Sequence, residues 1–311
     1  MKVLVTGAAG FIGSHFCEAL VEQNHEVIGL DNFSDYYAVA IKKKNAKTLK
    51  NKGVLMISAD LCDAEFSAGI SEDIQYIFHF AAQPGIDRNT SFDSYLHNNF
   101  IATQNLLRFA EKLNDLKMFV HISTSSVYGK MATSAETEVT LPVSDYGVTK
   151  LAAEQLVLSR SRLGIIKATS LRLYSVFGPR ERPDKLFTRL IDCALNDKEF
   201  PLFKNSLTHI RSFTYVEDIV NGVLAVMGKE DLCNNEIFNI GSENEYTTQE
   251  GVECVEKITG KKIKMNLLEP RPGDQLRTNA NIEKARKSLG YAPKTSLYQG
   301  LEKQVAWFRN S

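Results

Sequence analysis

Short apolar runs rich in β-branched residues alternate, through the first half of the chain, with longer stretches in which apolar positions return every three or four residues. The runs at 2–6, 26–31, 54–58, 74–80, 117–123 and 168–173 have the length and composition of buried strands. Segments 12–23, 100–113 and 146–163 between them carry the period of helices packed on a sheet. Strands separated by crossover helices predict an α/β fold with a doubly wound parallel sheet. After Leu173 the rhythm changes. Gly178-Pro179 and the turn Arg182-Pro183-Asp184 lead into a helix-like run at 185–196, and Pro and Gly recur between Glu269 and Gly273. A strand-like run at 236–240 falls late in the chain, so the first domain is expected to borrow it. The expected division is a Rossmann domain over 1–175, with a returning segment near 210–242, and a smaller interwoven lobe made mainly from 176–311.

Composition narrows the classes of function. The 311 residues carry 37 Lys plus Arg against 37 Asp plus Glu, a net charge of zero, so no global field draws the chain to nucleic acid or anionic lipid. Any anionic ligand must be held locally. No apolar run approaches the roughly 20 residues of a spanning helix, and no export signal is read at the N-terminus. The five cysteines, Cys17, Cys62, Cys193, Cys233 and Cys254, are widely spaced without a C-x-x-C pair, which predicts reduced thiols in a cytoplasmic protein and no metal site. His79 and His121 lie in strand-like runs and are read as core residues rather than ligands. The run Lys42-Lys43-Lys44, continuing to Lys47 and Lys50, is read as a solvated helix face because it lacks interleaved aromatics.

The candidate chemistry begins at Gly7-Ala8-Ala9-Gly10-Phe11-Ile12-Gly13, which follows a strand and opens a helix. Gly7 allows a tight turn, Gly10 lets the backbone approach a pyrophosphate and Gly13 permits close helix packing, while the helix N-terminus offers N–H donors. Asp31 ends the second strand, where a carboxylate accepts from an adenosine ribose and repels a 2′-phosphate, selecting NAD over NADP. Asp60-Leu61 ends the third strand, with Asp60 either beside the adenine or capping a turn. Ala81-Ala82-Gln83 ends the fourth, offering small side chains where a cofactor would pass.

The sharpest signal is Tyr146-Gly147-Val148-Thr149-Lys150 at a helix start, where i and i+4 put phenol and ammonium on one face. A phenol has a pKa of about 10. A neighbouring ammonium and a positive nicotinamide each favour phenolate, and charges at such range move a pKa by about 1 to 3 pH units. Tyr146 is therefore the candidate general base. Ser123-Thr124-Ser125-Ser126-Val127-Tyr128-Gly129 presents hydroxyls at the C-terminal edge of the preceding strand, where open α/β sheets bind ligands.

On these motifs the chain resembles the extended short-chain dehydrogenase/reductases of the nucleotide-sugar epimerase and dehydratase type. The resemblance spans nearly the whole length, adding Asn99 with Thr103, Leu171-Arg172, Arg211-Ser212-Phe213-Thr214-Tyr215-Val216 and Arg271-Pro272-Gly273-Asp274. Dehydratases of this family carry Asp-Glu after the threonine, and UDP-glucuronate decarboxylases usually carry Glu before Val-Tyr-Gly. Here Ser125 and Ser126 stand instead, which removes the proton donor for elimination and leaves epimerisation. Asp31-Asn32-Phe33-Ser34-Asp35-Tyr36-Tyr37 and Gly178-Pro179-Arg180-Glu181-Arg182-Pro183-Asp184 are similar to the UDP-glucuronate 4-epimerases, which read Asp-Asn-Phe-Asn-Asp-Tyr-Tyr and Gly-Pro-Trp-Gly-Arg-Pro-Asp. Ser175 agrees with their Thr. After Gln83 the chain departs, with Pro84-Gly85-Ile86-Asp87-Arg88 where those enzymes have Gly-Val-Arg.

The resemblance implies NAD as cofactor and a UDP-sugar as substrate. Thr124, Tyr146 and Lys150 would be catalytic, and Asn32, Asn99 and Gln83 would join the glycines, Asp31 and Asp60 around the cofactor. Ser125, Ser126 and Ser175 would hold the sugar. Arg211, Arg271 and Arg182 would bind the diphosphate, with Asp274 on the ribose or on an arginine. A homodimer through 100–113 and 146–163 is a family expectation. Four rival readings are a decarboxylase, a dehydratase, an epimerase of neutral UDP-hexoses, and an NAD sensor without catalysis.

Overall fold

The computed structural model describes residues 1–85, 89–269 and 275–310. Its centre is a seven-stranded parallel sheet built from β1 (Lys2–Thr6), β2 (Glu26–Asp31), β3 (Leu55–Ser58), β4 (Tyr76–His79), β5 (Met118–Thr124), β6 (Ala168–Leu173) and β7 (Glu236–Ile240). The spatial order is β7-β6-β5-β4-β1-β2-β3. Val3 pairs with Val27 on one side and Tyr76 on the other, so the chain winds outward in both directions from β1. The place where it reverses, between β1 and β4, is where ligands bind in such sheets. Every residue of β5 is buried, as expected of a strand covered on both faces. At the β3 edge the predicted first residue, Val54, bonds instead to Leu49 O at 3.0 Å and ends the preceding helix turn.

The helices that position the site are α1 (Phe11–Glu22), α2 (Val39–Asn51), α3 (Ala102–Ala110) and α4 (Asp145–Arg162), followed by α5 (Leu186–Leu195), α6 (Val216–Leu224), α7 (Thr248–Thr259) and α8 (Leu297–Arg309). Two differ from the sequence expectation. The helical path predicted from Phe100 starts earlier, at Phe92–Tyr95, because Ser91 Oγ accepts from Ser94 N at 3.2 Å and caps it. It then runs through a π turn, Leu96–Ile101, before α3. In α2 the buried residues are Lys42, Asn45, Ala46 and Leu49, so Lys42 is turned inward and not, as read from the lysine run, onto a solvated face.

A second core lies around Phe177, Phe187, Phe213 and Tyr215, whose rings meet edge-on or tilted at 4.7–5.8 Å where Phe187 faces Phe213 and Phe177 faces Phe187 and Tyr215. Helices α5, α7 and α8 close over it, with a parallel strand pair Glu199–Phe203 and Lys264–Leu268 on its flank. A small sheet made of Met131–Ala132, Ile210–Arg211, Tyr246–Thr247 and Arg277–Thr278 ties segments from both halves of the chain together. Among the described residues no helix is long and apolar enough to cross a membrane.

Candidate active site

One cavity of about 740 Å³ runs along the C-terminal edge of the sheet, from the β1–α1 turn to the second core. Its first end is the glycine turn. Gly7 adopts φ +68°, and a Cβ there would stand 2.7 Å from Ala81 N; a Cβ on Gly13 would stand 2.2 Å from Gly7 O. These two glycines are required by packing alone. Gly10 is different: its Cβ would meet only Gly7 O, at 3.1 Å, and the residue opens onto the cavity. Helix α1 starts at Phe11 with no side-chain cap and no acidic residue in its first turn, which leaves its N–H groups and dipole for an anion. This cradle, with Ile12 and Gly13 on its wall, fits a dinucleotide pyrophosphate.

The adjoining wall carries Asp31, Asn32, Asp60 and Leu61. Asp31 is nearly buried and accepts from Ala9 N at 3.0 Å and Phe33 N at 2.8 Å. Burial raises its pKa against those two bonds and the charge of Lys42. Asn32 donates to Asp60 at 2.9 Å, and Asp60 also accepts from Cys62 N at 2.8 Å, so Asp60 both lines the cavity and caps its turn. Sequence reading missed Lys42, whose ammonium donates to Ser34 O at 2.9 Å and Ser34 Oγ at 2.8 Å beside the Tyr37 ring. The signal was present: Lys42, Ala46 and Leu49 recur at helical spacing, which places Lys42 with the apolar face.

Ala81 and Ala82 line the cavity, while Gln83 and Asn99 sit behind its wall. Asn99 sits in the π turn behind the wall, where its Oδ1 accepts from Gln83 N at 2.8 Å and its Nδ2 donates to Thr149 Oγ1 at 3.0 Å. The wider turn rotates this side chain inward, a use of π geometry common at functional sites. His79 and His121 are core residues, as read, and burial holds both far below the usual imidazole range. His79 sits between Thr6 Oγ1 at 2.7 Å and Thr103 Oγ1 at 2.9 Å.

The middle of the cavity brings Thr124, Ser125, Ser126, Tyr146, Lys150 and Ser175 together. Thr124 ends β5 in an extended conformation and accepts from Ser126 N at 3.2 Å, which turns the hydroxyl-bearing loop over the sheet edge. Tyr146 lies in the first turn of α4, started by Ser144 Oγ accepting from Gly147 N at 3.1 Å. The sequence expectation was that Lys150 would pull the phenol down. In the protein alone burial wins: the Tyr146 phenol is pushed up, offset by its hydrogen bond with Thr124 and by the charge of Arg182. Lys150, fully enclosed, is itself pulled down to about 7, with Glu154 opposing the fall.

Arg182, read as a candidate for the diphosphate, lines the same cavity, and its charge favours the Tyr146 phenolate. It pairs with Asp184 through bonds of 2.9 and 2.8 Å and covers the Tyr36 ring at 5.4 Å. Gly85, at φ +85°, is placed so that a Cβ would be 3.2 Å from the guanidinium. Arg211 lines the cavity beyond, donating to Ile210 O at 3.0 Å and to Gln275 O. Phe200, Leu202 and Phe213 make an apolar end there, with Arg189 over the Phe200 ring. Neither Arg189 nor this apolar end was singled out from sequence, because they converge only once α5 and the strand after it have folded. Arg271 and Asp274 lie outside the described residues, as do Asp87 and Arg88.

Known proteins share this fold. Residues 3–241 match the model of the NAD dependent epimerase/dehydratase family. The chain is 39% identical over 99% of its length, and 98% of the relative's, to an uncharacterised UDP-glucose epimerase, YtcB, of Bacillus subtilis (strain 168). It is 35% identical to UDP-glucuronate 4-epimerase 4 of Arabidopsis thaliana, over 99% of this chain and 75% of that one. The structure superposes with a TM-score of 0.93 on UDP-glucuronic acid 4-epimerase from Bacillus cereus in complex with UDP-glucuronic acid and NAD, 36% identical and covering 100% of this chain and 99% of that one. A glycine cradle at the switch point, a Tyr-Lys pair beside it and a family match across both lead to one conclusion: the chain belongs to the NAD-dependent epimerase/dehydratase family.

Proposed function

We propose that this chain is an NAD-dependent UDP-sugar 4-epimerase and that its substrate pair is UDP-glucuronate and UDP-galacturonate. The observation that carries the reading is the convergence of Thr124, Tyr146 and Lys150 with two serines, Ser125 and Ser126, on one cavity wall, with no acid at either serine position. When bound, NAD would supply the acceptor and donor for a hydride at C4 of the sugar. It would be held by Gly7, Gly10, Phe11, Ile12 and Gly13 at its pyrophosphate, by Asp31, Asn32, Asp60 and Leu61 at its adenosine, and by Ala81, Ala82, Tyr146 and Lys150 at its nicotinamide end, with Gln83 and Asn99 supporting the wall.

Tyr146 would remove the proton from O4 and later return it to O4 of the epimer, once C4 has been reduced from its other face. Thr124 keeps O4 in line through the hydroxyl that already meets the phenol. Ser125, Ser126 and Ser175 hold the sugar, and the two adjacent serines keep the carboxylate in the plane that resists loss of CO2. Arg211, together with Arg271 and Asp274, takes the nucleotide diphosphate and ribose. Arg182, which lines the same cavity, is the third cation for the diphosphate. On this reading 1–175 with 210–242 binds NAD and 176–311 mainly binds the nucleotide sugar, and the working unit is a cytoplasmic homodimer.

The test is proton NMR of the purified protein incubated separately with UDP-glucuronate, UDP-glucose and UDP-N-acetylglucosamine, with absorbance at the NADH band recorded alongside. Interconversion of the glucuronate and galacturonate forms without lasting NADH is the expected result. A pentose product would make the protein a decarboxylase. Turnover of neutral sugars alone would favour the second reading, an epimerase of neutral UDP-hexoses, for which the resemblance to the Bacillus subtilis relative speaks.

A further inference from the structure

We propose that Glu154 is a positioning residue for the Tyr146–Lys150 pair, its carboxylate fixed by Arg172 one helical turn below Lys150, where its charge favours the ammonium without touching it. The proposal rests on the reading of Tyr146 and Lys150 as the reacting pair.

Residues 146, 150 and 154 follow at intervals of four, so the three side chains lie in a row along one face of α4. Glu154 has no exposed surface. Both its oxygens are taken from β6: Oε1 accepts from Arg172 Nη2 at 2.6 Å, and Oε2 accepts from Arg172 Nε at 3.0 Å and Ser170 Oγ at 3.2 Å. Arg172 is held in turn by the turn after Thr124, donating to the Tyr128 hydroxyl at 2.7 Å while its guanidinium covers that ring at 4.7 Å. Tyr128 donates to Asn239 Oδ1 at 2.9 Å on β7, and Asn239 donates to Ser134 O and Asn281 O, both at 3.1 Å. The carboxylate below Lys150 is thus fixed by bonds that run across two strands and the loop carrying Thr124.

A buried ion pair is a poor stabiliser, because desolvation offsets its attraction and well-packed apolar residues often do as well. Its retention beneath a catalytic lysine has a better account in what its field does there. Lys150 has no ion-pair partner among the described residues. The titratable groups facing it are Glu154 and Tyr146 on its own helix, His79 on β4 and His121 on β5, with Arg172 behind Glu154 on β6. The histidines are neutral, so they add no field of their own. Burial pulls Lys150 down to about 7, and Glu154 opposes the fall. Without the carboxylate the lysine loses its proton more readily, and the phenol loses the cation that favours its ionised form.

Glu154→Gln alone leaves Arg172 buried and uncompensated, so the decisive protein is the double variant Glu154→Gln/Arg172→Met, which removes both charges at similar volume. The protein is labelled with 13C at the lysine ε-carbons, and the Lys150 resonance is assigned by its loss in Lys150→Met. The expected result is a titration midpoint at least one pH unit lower in the double variant than in the wild type. A midpoint within 0.3 pH units of the wild type would overturn the proposal, and so would a double variant that cannot fold, since the pair would then be kept for the fold. As a second readout, the acidic limb of the epimerisation rate is expected to move to higher pH in the double variant but not in Tyr128→Phe, which keeps Glu154 and Arg172 paired. A wild type that turns over no nucleotide sugar would defeat the function proposed above and leave the lysine titration to decide this one.

Discussion

Asn99 donates from Nδ2 to Thr149 Oγ1 at 3.0 Å, joining the π turn of one helix to the catalytic end of the next. The same side chain holds Gln83 N at 2.8 Å with its oxygen, so one amide spans the wall behind the cavity. Asn99→Ala strands the buried Gln83 N–H, at a cost of roughly 1–3 kcal/mol. Urea denaturation is expected to show a lower midpoint and NADH titration a weaker affinity; an unchanged midpoint would contradict the bridging role.

Gly13→Ala is expected to weaken NAD binding at least tenfold, because the added carbon would lie 2.2 Å from Gly7 O, a backbone atom of the turn itself. Fluorescence titration with NADH reads the loss directly.

Tyr146→Phe keeps the ring and removes the proton acceptor. Positioned acid–base groups contribute about 10²–10⁴-fold, so epimerisation is expected to fall by that range in NMR progress curves while bound NAD is retained. Thr124→Val removes a hydrogen bond to the same phenol and is expected to cost less, roughly tenfold. Equal losses would mean that Thr124 does more than steady O4.

Glu181 gives a pH signature of opposite sign to most carboxylates. It is buried, and its Oε2 accepts from Thr188 N at 3.0 Å, Thr188 Oγ1 at 3.0 Å and Gln304 Nε2 at 2.8 Å. Burial nevertheless raises it from 4.5 to about 7. A folded pKa above the unfolded one means that the folded state keeps the proton longer, so the contribution to stability is full below about pH 4.5 and is lost as pH rises to about 7. At about 1.4 kcal/mol per pH unit, the change across that window is on the order of 3 kcal/mol. Glu181→Gln, which cannot ionise, is expected to match the wild type at about pH 4 and exceed it at about pH 8 in thermal melts. The buried histidines, destabilising below about pH 6.5, are common to both proteins and cancel.

The sheet was legible because its strands are short, wholly buried and therefore nearly continuous apolar runs, as β5 and β6 are. The glycine turn and the Tyr146–Lys150 pair were legible because their chemistry is local: a turn, a helix start, a spacing of four. What depends on distant chain was not. Gly85 approaches Arg182 across the cleft, Lys42 turns inward only once α2 has a core to pack on, and Glu154 meets Arg172 only when α4 lies on β6. The electrostatics were misread for the same reason, since a phenol and an ammonium at helical spacing reveal their mutual charge but not the burial that dominates both. Asn99 was singled out through the family resemblance, yet its place behind the wall follows from the π turn, which no apolar period announces.

The return of β7 to the sheet has a consequence for how the protein is made. Strand Glu236–Ile240 pairs in register with β6, Glu236 against Thr169 and Ile240 against Leu173, although more than sixty residues separate them. During synthesis β6 emerges first and stands as an open edge until residue 240 clears the ribosome. At the usual pace of about 5–20 residues per second, that edge is bare for several seconds, long enough to recruit a chaperone or to pair with another nascent chain. It also follows that no single cut divides the gene into two fragments that each encode a complete lobe.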